Sequence, residues 1–303
     1  MQKKNVHIGS LTLGDGIPKI CVPLTARNFA QMESQLDSIR MAPCDMIELR
    51  ADYYEGDPIE ELAAVRERMP GKPILFTFRT KEEGGECAIS RKEYALLNLR
   101  AAGLPEATGT PEATGTPETT GTPEATGLTE TTGAPETIGL PETIGLPEIA
   151  ATPEAHREAG TVHADLIDLE VNRGEEFVRD LGARLQSGGV KTVVSYHDFE
   201  RTPDEEFLVQ LLCRIQSLGA DITKAALMPR TERDVLTLLS AAVTMKEQFA
   251  DRPYIVMSMG RLGSISRLAG RLTGSAVTFA AAGAISAPGQ MDADFVAHAL
   301  ELL

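Results

Sequence analysis

A chain of 303 residues with 42% hydrophobic content is long enough to bury a full core, and its net charge of −15 argues against nucleic-acid partners, whose phosphates need a basic surface. No apolar run approaches the ~18 residues of a membrane span, and the lysines of MQKKNVHIGSLTLG precede no apolar segment of the secretory kind. Four scattered cysteines (Cys21, Cys44, Cys87, Cys213) without C-x-x-C spacing read as reduced thiols of a cytoplasmic protein, and neither they nor the five histidines show metal-ligand spacing.

In chain order, VHIGSLTLG predicts a short hairpin able to close one end of a barrel. Apolar, β-branched runs then recur at 19–24, 46–51, 74–79, 166–171, 192–197, 222–228, 254–259 and 276–281. Such runs suit strands covered on both faces. Helical spacing lies between them, as in Phe207, Leu208, Leu211, Leu212 and Ile215, or Val235, Leu238, Leu239 and Ala242. Eight strands, each followed by a helix, predict an α/β protein of the (β/α)8 TIM-barrel type.

One segment interrupts the pattern, between helix 3 and strand 4. From Leu104 to Pro153 runs a hexapeptide repeat of the TPEATG type, with Pro at its second position and Gly at its sixth. Pro blocks helix and central strand, and few side chains there could form a core, so residues 104–153 are expected to be a disordered low-complexity insert. The acidity is local: residues 101–160 hold ten Glu and one Arg, or −9 of the −15, which leaves −6 for the rest. With the insert set aside 253 residues remain, close to the ~250 of a single barrel domain. The whole of 1–303 is thus expected to be one catalytic domain with an interruption at the face away from the chemistry.

Polar groups at the C-terminal ends of barrel strands are the candidates for a site. The second run ends Glu48-Leu49-Arg50-Ala51-Asp52; the third ends at Arg79 and is followed by Glu83-Gly84-Gly85-Glu86; the fifth ends at His197. Lys224 stands inside an apolar strand, where desolvation lowers a lysine pKa and frees the amine to attack a carbonyl. A structural ion pair with Glu48 or Glu170 explains the same lysine equally well. His197 titrates in the range a proton shuttle needs, with Glu48 as the carboxylate that would fix its tautomer. Arg50, Arg79 and Arg267 suit an anionic substrate, and Ser286-Ala287-Pro288-Gly289-Gln290 reads as lid chemistry.

The strings ELRAD, FTFRTKEEGGE, SYHDFERTP, DITKAALMP, MSMGRLGSISR and SAPGQ, in this order, closely resemble type I 3-dehydroquinate dehydratases. The resemblance covers the chain outside the repeat. It implies a homodimeric hydro-lyase of the shikimate pathway, acting on 3-dehydroquinate without a cofactor or metal. By similarity the catalytic set is Lys224 (Schiff base), His197 (general acid and base), Glu48 (partner of the histidine) and Glu83 (positioning). Arg50, Arg79, Arg267, Ser286 and Gln290 would bind the substrate's carboxylate and hydroxyls, and Met257, Met259 and Phe279 would line the pocket. Pro23 departs from the family, some of whose members carry a hydroxyl residue there, and so does the repeat. Two other readings stay open on residues alone: another Schiff-base barrel such as a class I aldolase, and a chain that acts through binding by its acidic array.

Overall fold

The computed structural model describes residues 4–105, 162–283 and 287–303. Strands β1 (Val6–Ile8) and β2 (Leu11–Leu13) form the antiparallel hairpin expected at the N-terminus. Eight parallel strands follow: β3 (Lys19–Leu24), β4 (Met46–Arg50), β5 (Ile74–Thr77), β6 (Leu166–Glu170), β7 (Lys191–Asp198), β8 (Ile222–Leu227), β9 (Tyr254–Ser258) and β10 (Val277–Phe279). Their order is β10-β3-β4-β5-β6-β7-β8-β9. A parallel bridge from Tyr254 to Ser275, with Ala276 N–H donating to Tyr254 O at 2.8 Å, joins the last strands and closes the barrel.

Helices α1 (Phe29–Met41), α2 (Pro58–Arg68), α3 (Arg91–Ala101), α4 (Glu175–Ser187), α5 (Glu205–Ser217), α6 (Glu232–Thr244), α7 (Gly270–Thr273) and α8 (Ala293–Leu302) lie in the connections. Their starts are written in the sequence. Asn28, Asp57, Asp204 and Asp292 cap with their side chains, and Ser90/Glu93 and Thr231/Asp234 form capping boxes, each cap contributing about 1 kcal/mol. On α5 the periodic residues Leu208, Leu211, Leu212 and Ile215 are buried, whereas Phe207 is 43% exposed. It stands at the helix's third position, outside the stripe that faces the strands.

Strand alternation sorts side chains to two faces. Ile47, Leu49, Ile74, Phe76, Ile167 and Leu169 point outward into the shell of helices. Inward, the lowest layer is Cys21, Met46, Leu75, Leu166, Val193, Ile222, Ile255 and Val277, and Val6, Ile8 and Leu13 of the hairpin pack against it. That layer is the floor of the barrel, and the hairpin seals it from below.

The expected insert lies outside the described residues except at its first two positions. Leu104, the first of them, is 5% exposed and belongs to the core around the helices. Past the insert, Ala164 N–H donates to Ala101 O at 2.8 Å and Asp165 N–H to Ile74 O at 3.0 Å. The chain therefore leaves and returns at the N-terminal face, opposite the strand ends that carry the ionisable groups. Among the described residues no helix is long and apolar enough to cross a membrane.

Candidate active site

Two residues above the apolar floor, the same alternation brings Pro23, Glu48, Thr77, Asp168, Ser195, Lys224, Met257 and Phe279 into the interior. By register Pro23 lies beside Glu48 and Ser195 beside Lys224, whereas Glu48 also lies beside Leu75 and Lys224 beside Ile255, the stagger that strand tilt gives a closed barrel. One step further up, Arg50, Arg79, Glu170, His197, Ala226 and Met259 ring the mouth. A cavity of about 640 Å³, its open mouth included, is lined by Glu48, Arg50, Arg79, Glu83, His197 and Lys224. Met257, Met259, Arg267, Phe279 and Gln290 complete much of the rest. Of the expected site residues only Ser286 lies outside the described residues.

Lys224 is 3% exposed and sits at the centre of this layer. Its Nζ donates to Asp168 Oδ2 at 3.2 Å, stands 3.6 Å from Glu48 Oε1, and lies 4.8 Å from the centroid of the Phe279 ring. Glu48, in turn, accepts from Thr77 Oγ1 at 3.1 Å. Asp168 escaped the sequence reading, although two carboxylates at alternate positions of the apolar strand LIDLE were a visible mark of inward charge. It also accepts from Arg79 Nη2 at 2.9 Å and from Ser195 Oγ at 2.6 Å. Burial alone would raise its pKa, but Arg79, Lys224 and the Ser195 hydroxyl outweigh that and hold it below the usual carboxylate value.

His197 does not meet Glu48. Its Nδ1 lies 2.8 Å from Glu83 Oε2, so the carboxylate that orients the imidazole is Glu83, and Glu48 belongs to Lys224. Glu83 reaches this place because the chain after β5 turns back in a 3-10 turn, Lys81–Glu83, that ends at Gly84 with φ +81°. An added Cβ at Gly84 would fall 2.5 Å from the ring of Phe199. Burial disfavours charge on either partner. It pushes the Glu83 carboxyl up to about 8, helped by Glu170 and Asp168 and opposed by Arg79. It holds the imidazole well below its ordinary value, together with the positive charges of Arg79, Lys224 and Arg50. The two groups titrate as a pair. When the pair gives up one proton, Nδ1–H is donated to the carboxylate and Nε2 is free to take a proton.

The three arginines differ. Arg79, expected to bind substrate, is spent largely on the protein: Nη1 donates to Glu170 Oε1 at 3.0 Å and to Ser195 Oγ at 3.1 Å, and Nη2 to Asp168. Burial opposes its charge, yet Asp168, Glu170 and Glu83 hold its pKa above the ordinary value. Arg50 is gripped at both ends of its fork by Asp52, at 2.8 Å each. Arg267 has no carboxylate partner among the described residues. It is 3% exposed, donates to Phe279 O and Pro288 O at 3.3 Å, and its Nε makes no hydrogen bond. Burial lowers it to about 10. A buried cation without a counter-charge is a ready receptor for a carboxylate.

The arrangement thus offers a buried primary amine, an imidazole–carboxyl pair one level above it on the neighbouring strand, and in the same lining a guanidinium with no carboxylate partner among the described residues. Among the described residues there is no group of three His, Cys, Asp or Glu placed to hold a metal ion.

The family described as type I 3-dehydroquinase matches residues 20–108 and 149–303. A 3-dehydroquinate dehydratase of Syntrophotalea carbinolica is 36% identical over 98% of this chain and 97% of its own length. One from Escherichia coli strain K12 is 37% identical over 99% and 98%. Among solved structures, the type I 3-dehydroquinate dehydratase of Clostridium difficile, with covalently modified comenic acid, aligns with a TM-score of 0.75 at 34% identity, over 99% of this chain and 97% of that one. The Enterococcus faecalis enzyme aligns with a TM-score of 0.73 at 29% identity, over 98% and 99%. With its motifs gathered at the mouth of one barrel and its relatives matched along their full length, the chain belongs to the type I 3-dehydroquinase family.

Proposed function

We propose that the chain dehydrates 3-dehydroquinate to 3-dehydroshikimate through an imine on Lys224. The observation that carries this is the placement of a single amine, buried at the centre of the cavity, one level beneath an imidazole on the adjacent strand.

The ammonium of Lys224 passes a proton to His197, the amine so freed adds to the substrate ketone, and the ketone oxygen leaves as water with that proton, which gives a protonated imine. Asp168 and Glu48 balance that cation as they balance the ammonium. The imine draws electrons from the carbon next to it, so His197 removes a proton there, and an enamine forms. The electrons then return to expel the hydroxyl one carbon further on, which leaves as water with the proton His197 has just taken. One base serving both ends requires proton and hydroxyl on one face of the ring, hence a syn elimination. Water then hydrolyses the conjugated imine and frees Lys224. Glu83 holds the imidazole in its working tautomer. Arg267, with Arg50, Arg79, Gln290 and Ser286, takes the carboxylate and hydroxyls of the substrate, while Met257, Met259 and Phe279 supply the apolar walls. The backbone around Pro288 acts as the lid.

In this reading the whole chain is one catalytic domain and the repeat takes no part in the chemistry. A cytoplasmic setting agrees with the free thiols of Cys21, Cys44, Cys87 and Cys213. The pairing of two copies is carried over from the family resemblance alone.

Borohydride reduces an imine to a stable amine. Incubation of the protein with 3-dehydroquinate and borohydride, followed by peptide mapping, should place the adduct on Lys224. Turnover without any adduct would sink the mechanism. Neither adduct nor turnover would move the reading to another carbonyl substrate.

A further inference from the structure

Arg50 and the loop from Arg79 to Cys87 reach the cavity from different strands, yet one side chain holds both. Asp52, just past β4, is 2% exposed. Oδ1 accepts from Arg50 Nε at 2.8 Å and from the backbone N–H of Arg79 at 3.3 Å. Oδ2 accepts from Arg50 Nη2 at 2.8 Å and from the backbone N–H of Glu86 at 3.1 Å. Its own carbonyl accepts from Cys87 Sγ at 3.4 Å. The carboxylate therefore ties down both ends of the short stretch that carries Glu83. Gly85 shows how tightly the stretch is drawn in. An added Cβ there would run into the carbonyl of Arg79 and come within 3.0 Å of Asp52 Oδ2.

We propose that Asp52 is a positioning residue for proton transfer, acting through the 79–87 loop on Glu83 and, through Glu83, on His197. It touches no substrate. This rests on the roles given to Glu83 and His197 above. Lys224 hangs from a different strand and is held by Asp168 and Glu48, and Asp168 is anchored by Ser195 Oγ at 2.6 Å as well as by Arg79. Loosening the loop therefore separates two steps: the imine still forms, while the proton transfers that follow slow down. The size of the effect follows from geometry, since a displacement of about 1 Å at a catalytic group costs on the order of 100-fold.

Asp52→Asn keeps the shape but turns an N–H₂ towards donors that need an acceptor. In the full chain it should lower kcat about 10–100-fold, leave borohydride trapping on Lys224 intact, and shift the acid limb of the pH profile in the direction that Glu83→Gln shifts it. Added to Glu83→Gln, it should cost less than about 3-fold more, because residues acting in one chain are not additive. An equal loss in both backgrounds, or an unchanged kcat in the single variant, overturns the proposal. Should Asp52→Asn fail to fold, amide exchange in the wild-type chain decides. Glu86 is exposed, so slow exchange of its N–H requires the Asp52 bond, and exchange at the rate of a free loop overturns it. A wild type that traps no adduct at all removes the parent reading and this one with it.

Discussion

The interior of the barrel is two different environments built on the same eight strands. The floor, from Cys21 round to Val277, is apolar and sealed by the hairpin. Two residues further along, the strands present Glu48, Asp168 and Lys224, and then Arg50, Arg79, Glu170 and His197. Backbone, alternation and burial are alike at both levels; Leu75 and Asp168 are both 1% exposed. What differs is the sign of burial's effect. Removing leucine from water stabilises the fold, whereas removing charge from water costs free energy that is offset only if each ion finds partners. Hence every buried carboxylate of the upper level is met by an arginine, a lysine, a histidine or a hydroxyl, and Glu83 Oε1 and Arg267 Nε, on residues that line the cavity, are left without a partner among the described residues.

That contrast can be broken from either side. The largest effects belong to the upper level. Lys224→Ala should abolish turnover, read in a continuous dehydration assay. His197→Ala should lose about 10²–10⁴-fold in kcat while imine formation stays slow but detectable by borohydride trapping. Near wild-type rates for the lysine variant would end the Schiff-base account. On the floor the expectation reverses. Leu75→Ala should cost about 2–5 kcal/mol and lower Tm by about 5–15 °C, with kcat within about 2-fold of wild type at a temperature where it is folded. A large loss of kcat without a loss of Tm would show that the two levels are not separable.

A pH-dependent effect sharpens the comparison outside the barrel. Glu61 on α2 is 1% exposed, and neither carboxyl oxygen has a hydrogen-bond partner among the described residues. Burial, then the charge of Asp52, raises it to about 8. Its folded pKa lies above the unfolded value of about 4.3, so the folded state keeps a proton that the unfolded state has lost. Stability therefore falls as pH rises from about 4.3 to about 8. Glu61→Gln has no proton to lose, and its Tm relative to wild type should climb across that window. A difference that stays flat with pH would show that Glu61 is solvated.

Most of the frame was legible because apolar period is local. The eight strand runs and the hairpin can be read within a few residues each. The level of a side chain in the barrel is also local, which is why Lys224, Glu48, Arg79 and His197 do gather at one cavity. Partnership across the barrel is not local. Alternation says that Glu48 and His197 both point inward, but they hang from β4 and β7, and nothing in the period measures the gap between them. Glu83 closes on His197 only because the chain after β5 folds back through Gly84. The protein partners of Arg79 were hidden for the same reason: its anions, Asp168 and Glu170, lie on the next strand and after the repeat, some 90 positions away in the chain.

The bond from Ala164 N–H to Ala101 O has a practical side. It stitches the strand after the repeat to the helix before it, so the barrel receives its chain at that point already in register, whatever lies between. Such a seam is an insertion port. A foreign domain whose own termini lie close together could be spliced there and carried on the face opposite the substrate, with the barrel serving as a handle whose turnover reports that it is still folded.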